Sequence, residues 1–269
     1  MLNQPTPDRG TARRAGASRV GVPTGLEVPT GLPGDTGRAA ALAASVATSG
    51  VANPTRAKVR DDDLPRFAAQ RRQDWWAELP ELVSRDVTLR GLEPTDAASL
   101  VTMLSSAKVE EFISPAPATL DEARGFIDWT HRARKAGRYI CFGIVPHGQT
   151  DAIGIFQIWP VEPTFRTAEW GFAIGHRYWG SGLFIESARL VADFAFETLG
   201  TSRIEGRAAI ENERGNAALR KLGAEPEGLL RQCFECTGGV VRDHILWALL
   251  DKDWGRVRPT LTPKGRTTD

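Results

Sequence analysis

Across 269 residues the chain balances 34 Lys and Arg against 33 Asp and Glu, a formal net charge of +1, with 41% apolar residues. Those proportions allow a buried core, while no run reaches the ~18 apolar residues of a membrane helix. Three cysteines are too few, and odd in number, for a disulfide scaffold.

Residues 1–60 hold eight basic side chains against Asp8, Glu27 and Asp35, a net +5, which leaves −4 for the remainder. A nucleic-acid-binding fold would carry its basic excess in the folded part, so no nucleic-acid partner is expected. This leader is rich in Gly, Pro, Thr and Ala. Its apolar surface is too small to offset ordering entropy, and disorder is expected. Ala39–Ala47 lies too far along the chain, and is too Ala-rich, for a signal peptide. The expected location is the cytoplasm.

Leu64–Leu82, with Phe67, Trp75, Trp76 and Leu79, is expected as a short helix docking through its tryptophans, inside a helical extension over 61–84. Asp86–Leu92 alternates as a half-buried strand does. Pro94, Thr95 and Asp96 open a helix to about Leu104, with Thr95 or Asp96 as cap. Thr119 and Glu122 form a capping box for a second helix that runs towards Lys135 and stops at Gly137. Arg138–Pro146 and Ala152–Pro160 are β-rich and parted by His147–Asp151, which predicts an antiparallel hairpin.

Ala168–Gly175 reads as a strand with Trp170, Phe172 and Ile174 on one face. Glu169, Gly171, Ala173 and Gly175 lie on the other, where small residues admit a ligand or a backbone. Over Leu183–Leu199 the polar Glu186, Arg189, Asp193 and Glu197 oppose Phe184, Ala188, Val191 and Ala195, an amphipathic helix ended by Gly200. The strand Arg203–Ile210, the helix Arg214–Leu222, and the strands Gly228–Thr237 and Arg242–Leu250 about Gly238-Gly239 follow. The order predicts one α+β (mixed α/β) domain over 85–254, with 255–269 as a flexible tail. Cys233-Phe-Glu-Cys236 has metal-knuckle spacing but no second pair. Cys141, Cys233 and Cys236 are therefore read as ordinary strand residues, and no metal is expected.

The chemistry concentrates in Arg177-Tyr-Trp-Gly180-Ser-Gly182, between a strand and a long helix. Amides at a helix start lack internal partners and sit in the positive end of the macrodipole. Glycines remove the Cβ shield, so an anion can touch them. Arg177 and the Ser181 hydroxyl can add to such a site. A plain tight connection is the competing reading, since no third glycine or Gly-Lys-Ser/Thr signature follows.

The loop resembles the R/Q-x-x-G-x-G/A signature of the GNAT acetyltransferases. Asn212-Glu-Arg-Gly-Asn-Ala-Ala-Leu-Arg-Lys-Leu-Gly223 and Val87–Asp96 resemble the branch that acetylates ribosomal-protein N-termini, the Rim-type enzymes. The likeness spans about Asp86–Leu250. It implies a mostly antiparallel twisted sheet, splayed at the cofactor strand and flanked by about four helices. It further implies an acyl-CoA-dependent N-acetyltransferase that uses acetyl-CoA as co-substrate and a peptide N-terminus or small-molecule amine as acceptor, as a monomer or homodimer. A cofactor-binding sensor without turnover is the alternative.

By that resemblance Phe172, Ala173 and Ile174 pair with the pantetheine arm, and Arg177 and Trp179, Gly180, Ser181, Gly182 and Leu183 hold the diphosphate. Asn212 contacts the arm or orders the strands. The family's serine is Gly215 here, for which Asn216 is the substitute. Its general-acid tyrosine is Leu219, leaving Ser181 or Tyr178, water, or an unassisted thiolate. Glu169 is the candidate base, ahead of His176 and Glu211, with a rim salt bridge as its other reading. Trp129, Tyr139, Phe156 and Trp159 line either the acceptor pocket or the core.

Overall fold

In the computed structural model, which describes residues 74–113, 116–236 and 239–261, the alternating segments pair into one sheet. Its strands are β1 (Leu82–Val83), β2 (Val87–Gly91), β3 (Ile140–Pro146), β4 (Gly154–Pro160), β5 (Thr167–Ile174), β6 (Arg203–Ala209), β7 (Glu225–Glu235) and β8 (Val241–Leu250). Their spatial order is β1-β2-β3-β4-β5-β6-β8-β7. All neighbours are antiparallel except β5 and β6, which are parallel and pair only over Thr167–Glu169 against Arg203–Glu205. Past Glu169, β5 stays on β4 as far as Ile174 and β6 stays on β8 as far as Ala209. The sheet therefore opens into a V along this seam, the splay that the family resemblance implies.

The helices are α1 (Ala97–Leu104), α2 (Ala107–Glu110), α3 (Leu120–Lys135), α4 (Leu183–Asp193), α5 (Glu213–Lys221) and α6 (Asp251–Val257). Each face of the sheet buries its own apolar cluster. On one face Leu100 and Leu104 of α1 and Phe126 and Ile127 of α3 meet Tyr139, Cys141 and Ile155. On the other, Ala188, Val191 and Ala192 of α4 meet Leu89, Phe142, Phe156, Trp170 and Ile204. Among the described residues no helix is long and apolar enough to cross a membrane.

Local signals explain most boundaries. Thr119 accepts from the Glu122 amide at 3.2 Å, and the Glu122 carboxylate accepts from Ala118 at 2.7 Å, one residue earlier than the usual capping box. Gly137 and Gly200, at φ 68° and 74°, end their helices in the left-handed region.

Four expectations are corrected. Asp96 does not cap its helix. Fully buried after a 3₁₀ turn (Pro94–Asp96), it accepts from the amides of Glu93 (2.7 Å) and Ala152 (2.8 Å) and from the Arg90 guanidinium (2.8 and 3.1 Å). The long amphipathic helix changes at Phe194 to a wider π turn, Phe194–Leu199, and Glu186 is buried rather than solvent-facing.

The chain beyond Trp254 is docked as far as Leu261, not loose. Trp254 Nε1 donates to Asp193 at 2.8 Å, Arg258 pairs with Asp193 at 2.9 Å, and Leu261 is buried. Within the N-terminal extension, residues 75–77 form a single turn and 79–81 are irregular, rather than a helix. Trp75 still docks, edge-on to Phe165 at 5.5 Å, whereas Trp76 is exposed. The leader, residues 64–73 and residues 262–269 lie outside the described residues.

Candidate functional site

After Ile174 the chain makes a 3₁₀ turn, His176–Tyr178, and reaches α4 through two glycines at φ 79° and 91°. Only glycine takes such angles without strain. A Cβ placed on Gly180 or Gly182 would meet no atom within 4 Å, so the loop is open rather than packed shut. The Ser181 amide donates to the Tyr178 carbonyl (3.3 Å) and the Leu183 amide to the Ser181 hydroxyl (3.3 Å). Among the described residues, no protein group accepts from the amides of Gly180, Gly182, Phe184 or Ile185. Four bare N–H groups at the positive end of an eleven-residue helix make a seat for an anion. Arg177 stands beside them, 5.8 Å from the Tyr178 ring centre.

The strand leading into this loop carries a second open row. Gly175 donates to Ile153 on the β4 side. By the alternation of a strand, the N–H and C=O of Phe172 and Ile174 therefore turn the other way, into the V. The Ile174 carbonyl is taken there by Trp179 Nε1 at 3.0 Å. Ala173 is different: its backbone faces β4 opposite Ile155. Gly171 does not leave a channel either, because the Trp159 ring and Gln157 Oε1 occupy its side, 3.2 and 3.3 Å from where a Cβ would sit.

Across the V, Asn212 caps α5 by accepting from the Gly215 amide at 2.8 Å. Gly215 suits this tight cap, since a Cβ there would lie 2.7 Å from Asn212 Nδ2. Asn216 has a structural job instead of the ligand contact expected for it. Its Nδ2 donates to Ala209 O (2.8 Å) and Asn212 O (3.0 Å), and its Oδ1 accepts from Trp247 Nε1 (2.9 Å), all in the interior. Leu219 is buried in the core.

The three candidate catalytic side chains do not converge. Glu169 lies at the closed end of the V, buried and 3.3 Å from Arg207 Nε. Along β5 it is about 17 Å from Ile174, at about 3.3 Å per residue. Tyr178 and Ser181 come after Ile174. There the Tyr178 hydroxyl donates to Gln149 (3.1 Å) and the Ser181 hydroxyl to Tyr178 O (2.7 Å). Both serve the loop, so neither shares a reacting atom with Glu169.

Of the lesser candidates, His176 is exposed and Glu211 pairs with Arg242 at 3.5 Å. Trp129, Tyr139 and Trp159 form an aromatic ladder on the Glu169 face, whereas Phe156 lies in the opposite core against Phe172 and Phe184. On β8, His244 is buried with Nδ1 3.5 Å from Cys233 Sγ. Burial, aided by Arg207 and Arg242, holds its imidazole below the usual histidine range. Burial likewise raises the Cys233 thiol. All three cysteines are free. Among the described residues, no cluster of three or more His, Cys, Asp or Glu could hold a metal.

Two site residues were not flagged as such by the sequence. Arg207 had a signal in the charge alternation Arg203, Glu205, Arg207 along one face of β6. Arg214, whose guanidinium sits 4.3 Å over the Trp179 ring, had none.

Comparison with known proteins accounts for this arrangement. The acetyltransferase (GNAT) domain model matches residues 86–225, just over half of the chain. The uncharacterized N-acetyltransferase p20 of Bacillus licheniformis is 28% identical over 174 residues, covering 64% of this chain and 97% of the relative. The [ribosomal protein uS5]-alanine N-acetyltransferase of Escherichia coli is 27% identical over 156 residues, covering 55% and 80%. The fold is shared with Mycobacterium smegmatis RimJ, solved in complex with CoA-disulfide, at a TM-score of 0.59 and 22% identity over 65% of this chain and 87% of that one. The open loop, the split sheet and the domain match agree: the chain belongs to the GNAT family of acetyltransferases.

Proposed function

We propose that the protein transfers an acetyl group from acetyl-CoA to a primary amine, either a peptide N-terminus or a small-molecule amine, by direct attack. The observation that carries this reading is the row of unpartnered amides at Gly180, Gly182, Phe184 and Ile185, in line with the open main-chain groups of Phe172 and the Ile174 N–H. A diphosphate fits the first and an extended amide-bearing arm the second. In this reading Arg177 and the Trp179–Leu183 loop hold the diphosphate. Ser181 braces the turn, and Asn212 orders the entry to α5.

The Phe172 N–H polarises the thioester carbonyl, as an oxyanion donor does. The amine nitrogen forms a bond to the carbonyl carbon, the C–S bond breaks, and its electron pair leaves on sulfur. The ammonium proton passes to Glu169, directly or through water. A thiol of pKa ~8.5 departs without an acid, which suits a buried Leu219 where many relatives carry tyrosine. An α-amine of pKa ~8 is about a tenth neutral at pH 7, a deficit of roughly 1.4 kcal/mol, against nearly ~5 kcal/mol for lysine at ~10.4. N-terminal amines therefore need little from the base.

Mass spectrometry after incubation with acetyl-CoA and pooled amines and peptides tests the proposal. An acetylated amine and released thiol are expected. No thiol release on any amine, together with no rise in melting temperature at millimolar acetyl-CoA, would overturn it. Glu169→Gln should keep the thermal shift and lower turnover by about tenfold on an N-terminal amine and by about a hundredfold or more on a lysine-like amine; full activity on both removes Glu169 from the base role.

A further inference from the structure

We infer that Arg214 is a second cation of the diphosphate site, held on the loop's tryptophan in this structure and able to move from the ring to the phosphates; this rests on the acetyl-CoA reading above. Arg214 lies in the first turn of α5, where the helix field disfavours a cation. Two other guanidinium groups, on β6 and β8, are held by carboxylates, Arg207 by Glu169 and Arg242 by Glu111 and Glu211. Among the described residues no carboxylate pairs with Arg214. Its guanidinium instead lies 4.3 Å from the centre of the Trp179 ring, and Trp179 Nε1 donates to Ile174 O at 3.0 Å. The series Ile174–Trp179–Arg214 thus bridges from β5 to α5 across the mouth of the V.

Trp179 immediately precedes Gly180, the first of the open amides, so the guanidinium is one ring away from the anion seat. An exposed cation–π contact is weak beside a bidentate guanidinium–phosphate pair. A diphosphate on those amides therefore takes Arg214 off the ring. Arg177 approaches from the loop and Arg214 from α5, so the anion is gripped from both banks of the V. Release of the indole also frees the mouth through which the extended arm enters.

Calorimetric titration of the full chain with CoA, and with CoA lacking its 3′-phosphate, tests this. Arg214→Ala is expected to weaken binding of both ligands by about tenfold or more and to flatten the salt dependence, with Arg214→Lys between. Tryptophan emission gives a second readout. CoA should shift the emission of the wild-type protein, and the shift should shrink in both Arg214→Ala and Trp179→Phe. Undiminished affinity of Arg214→Ala, with wild-type binding intact, overturns this inference alone. Weakening for CoA but not for the ligand without the 3′-phosphate also overturns it, by moving Arg214 to that phosphate. Absence of CoA binding by the wild-type protein removes both this inference and the reading beneath it.

Discussion

Replacing Asn216 by alanine separates two roles that its position could support. Three hydrogen bonds of 3.0 Å or shorter leave with the amide, those to Ala209 O, Asn212 O and Trp247 Nε1, and with them a long one of 3.4 Å to Ile210 O. The carbonyls of Ala209 and Asn212 keep other partners, since Asn212 N donates to Ala209 O at 2.9 Å and Asn216 N to Asn212 O at 3.0 Å. Trp247 Nε1 keeps none in a ring that is 1% exposed. One orphaned buried donor costs about 1–3 kcal/mol and two lost neutral bonds about 1 kcal/mol each, so the variant loses about 3–5 kcal/mol.

For a folded unit of this size the melting temperature falls by about 2–4 °C per kcal/mol, hence by roughly 6–20 °C. Differential scanning calorimetry gives that figure, and a CoA titration well below the transition should give wild-type affinity. Trp247→Phe supplies the other corner of a double-mutant cycle, with a coupling of about 0.5–3 kcal/mol. A drop of less than about 2 °C together with weakened CoA binding would refute the reasoning and return Asn216 to the ligand site.

Two further outcomes follow from the loop and from β8. Gly182→Ala introduces a methyl that touches nothing within 4 Å but at φ 91°. It should cost only the left-handed strain of about 1–2 kcal/mol, while its Cβ shields the neighbouring amides and reduces the CoA-dependent thermal shift; an undiminished shift removes these amides from the site. His244 is neutral-favouring when folded, because burial lowers its pKa below the unfolded value. The unfolded chain then binds more protons, so the stability from this group is complete above pH ~6.5 and is lost as pH falls through the folded value. His244→Gln should flatten that acidic limb in pH-dependent denaturation, and identical limbs in the two proteins would exclude the effect.

What was legible in the sequence follows from how local each cause is. Gly180 and Gly182 mark their turn because no other residue takes those angles cheaply, and the alternation from Glu169 to Ile174 needs only a pleat. Glu186 sits in the first turn of regular α4, where helical periodicity marks it as polar but tertiary packing covers it. The π turn at Phe194–Leu199 widens the helix only after Asp193, so of the polar residues Glu197 alone leaves the stripe. Asp96 looked like a cap because its main partners, Arg90 and Ala152, are recruited by folding, the latter from 56 residues away. The segment after Trp254 reads as polar, yet Asp193 on a distant helix receives both Trp254 and Arg258. In the site itself the loop was visible. The pairing of Glu169 with Arg207 and the parking of Arg214 on Trp179 are products of tertiary packing.

The seam between β5 and β6 has a bearing on solubility. A row of unpaired main-chain groups at the rim of a sheet is a template on which strands of other molecules can add, and proteins blunt such rims to avoid self-association. Here the vacancy lies inside the sheet, with β6 on its far bank. Another protein's strand cannot approach it edge-on, whereas a slender flexible molecule entering from the end can. The fold thereby keeps main-chain donors and acceptors in reserve for a small partner without offering them to a neighbouring polypeptide.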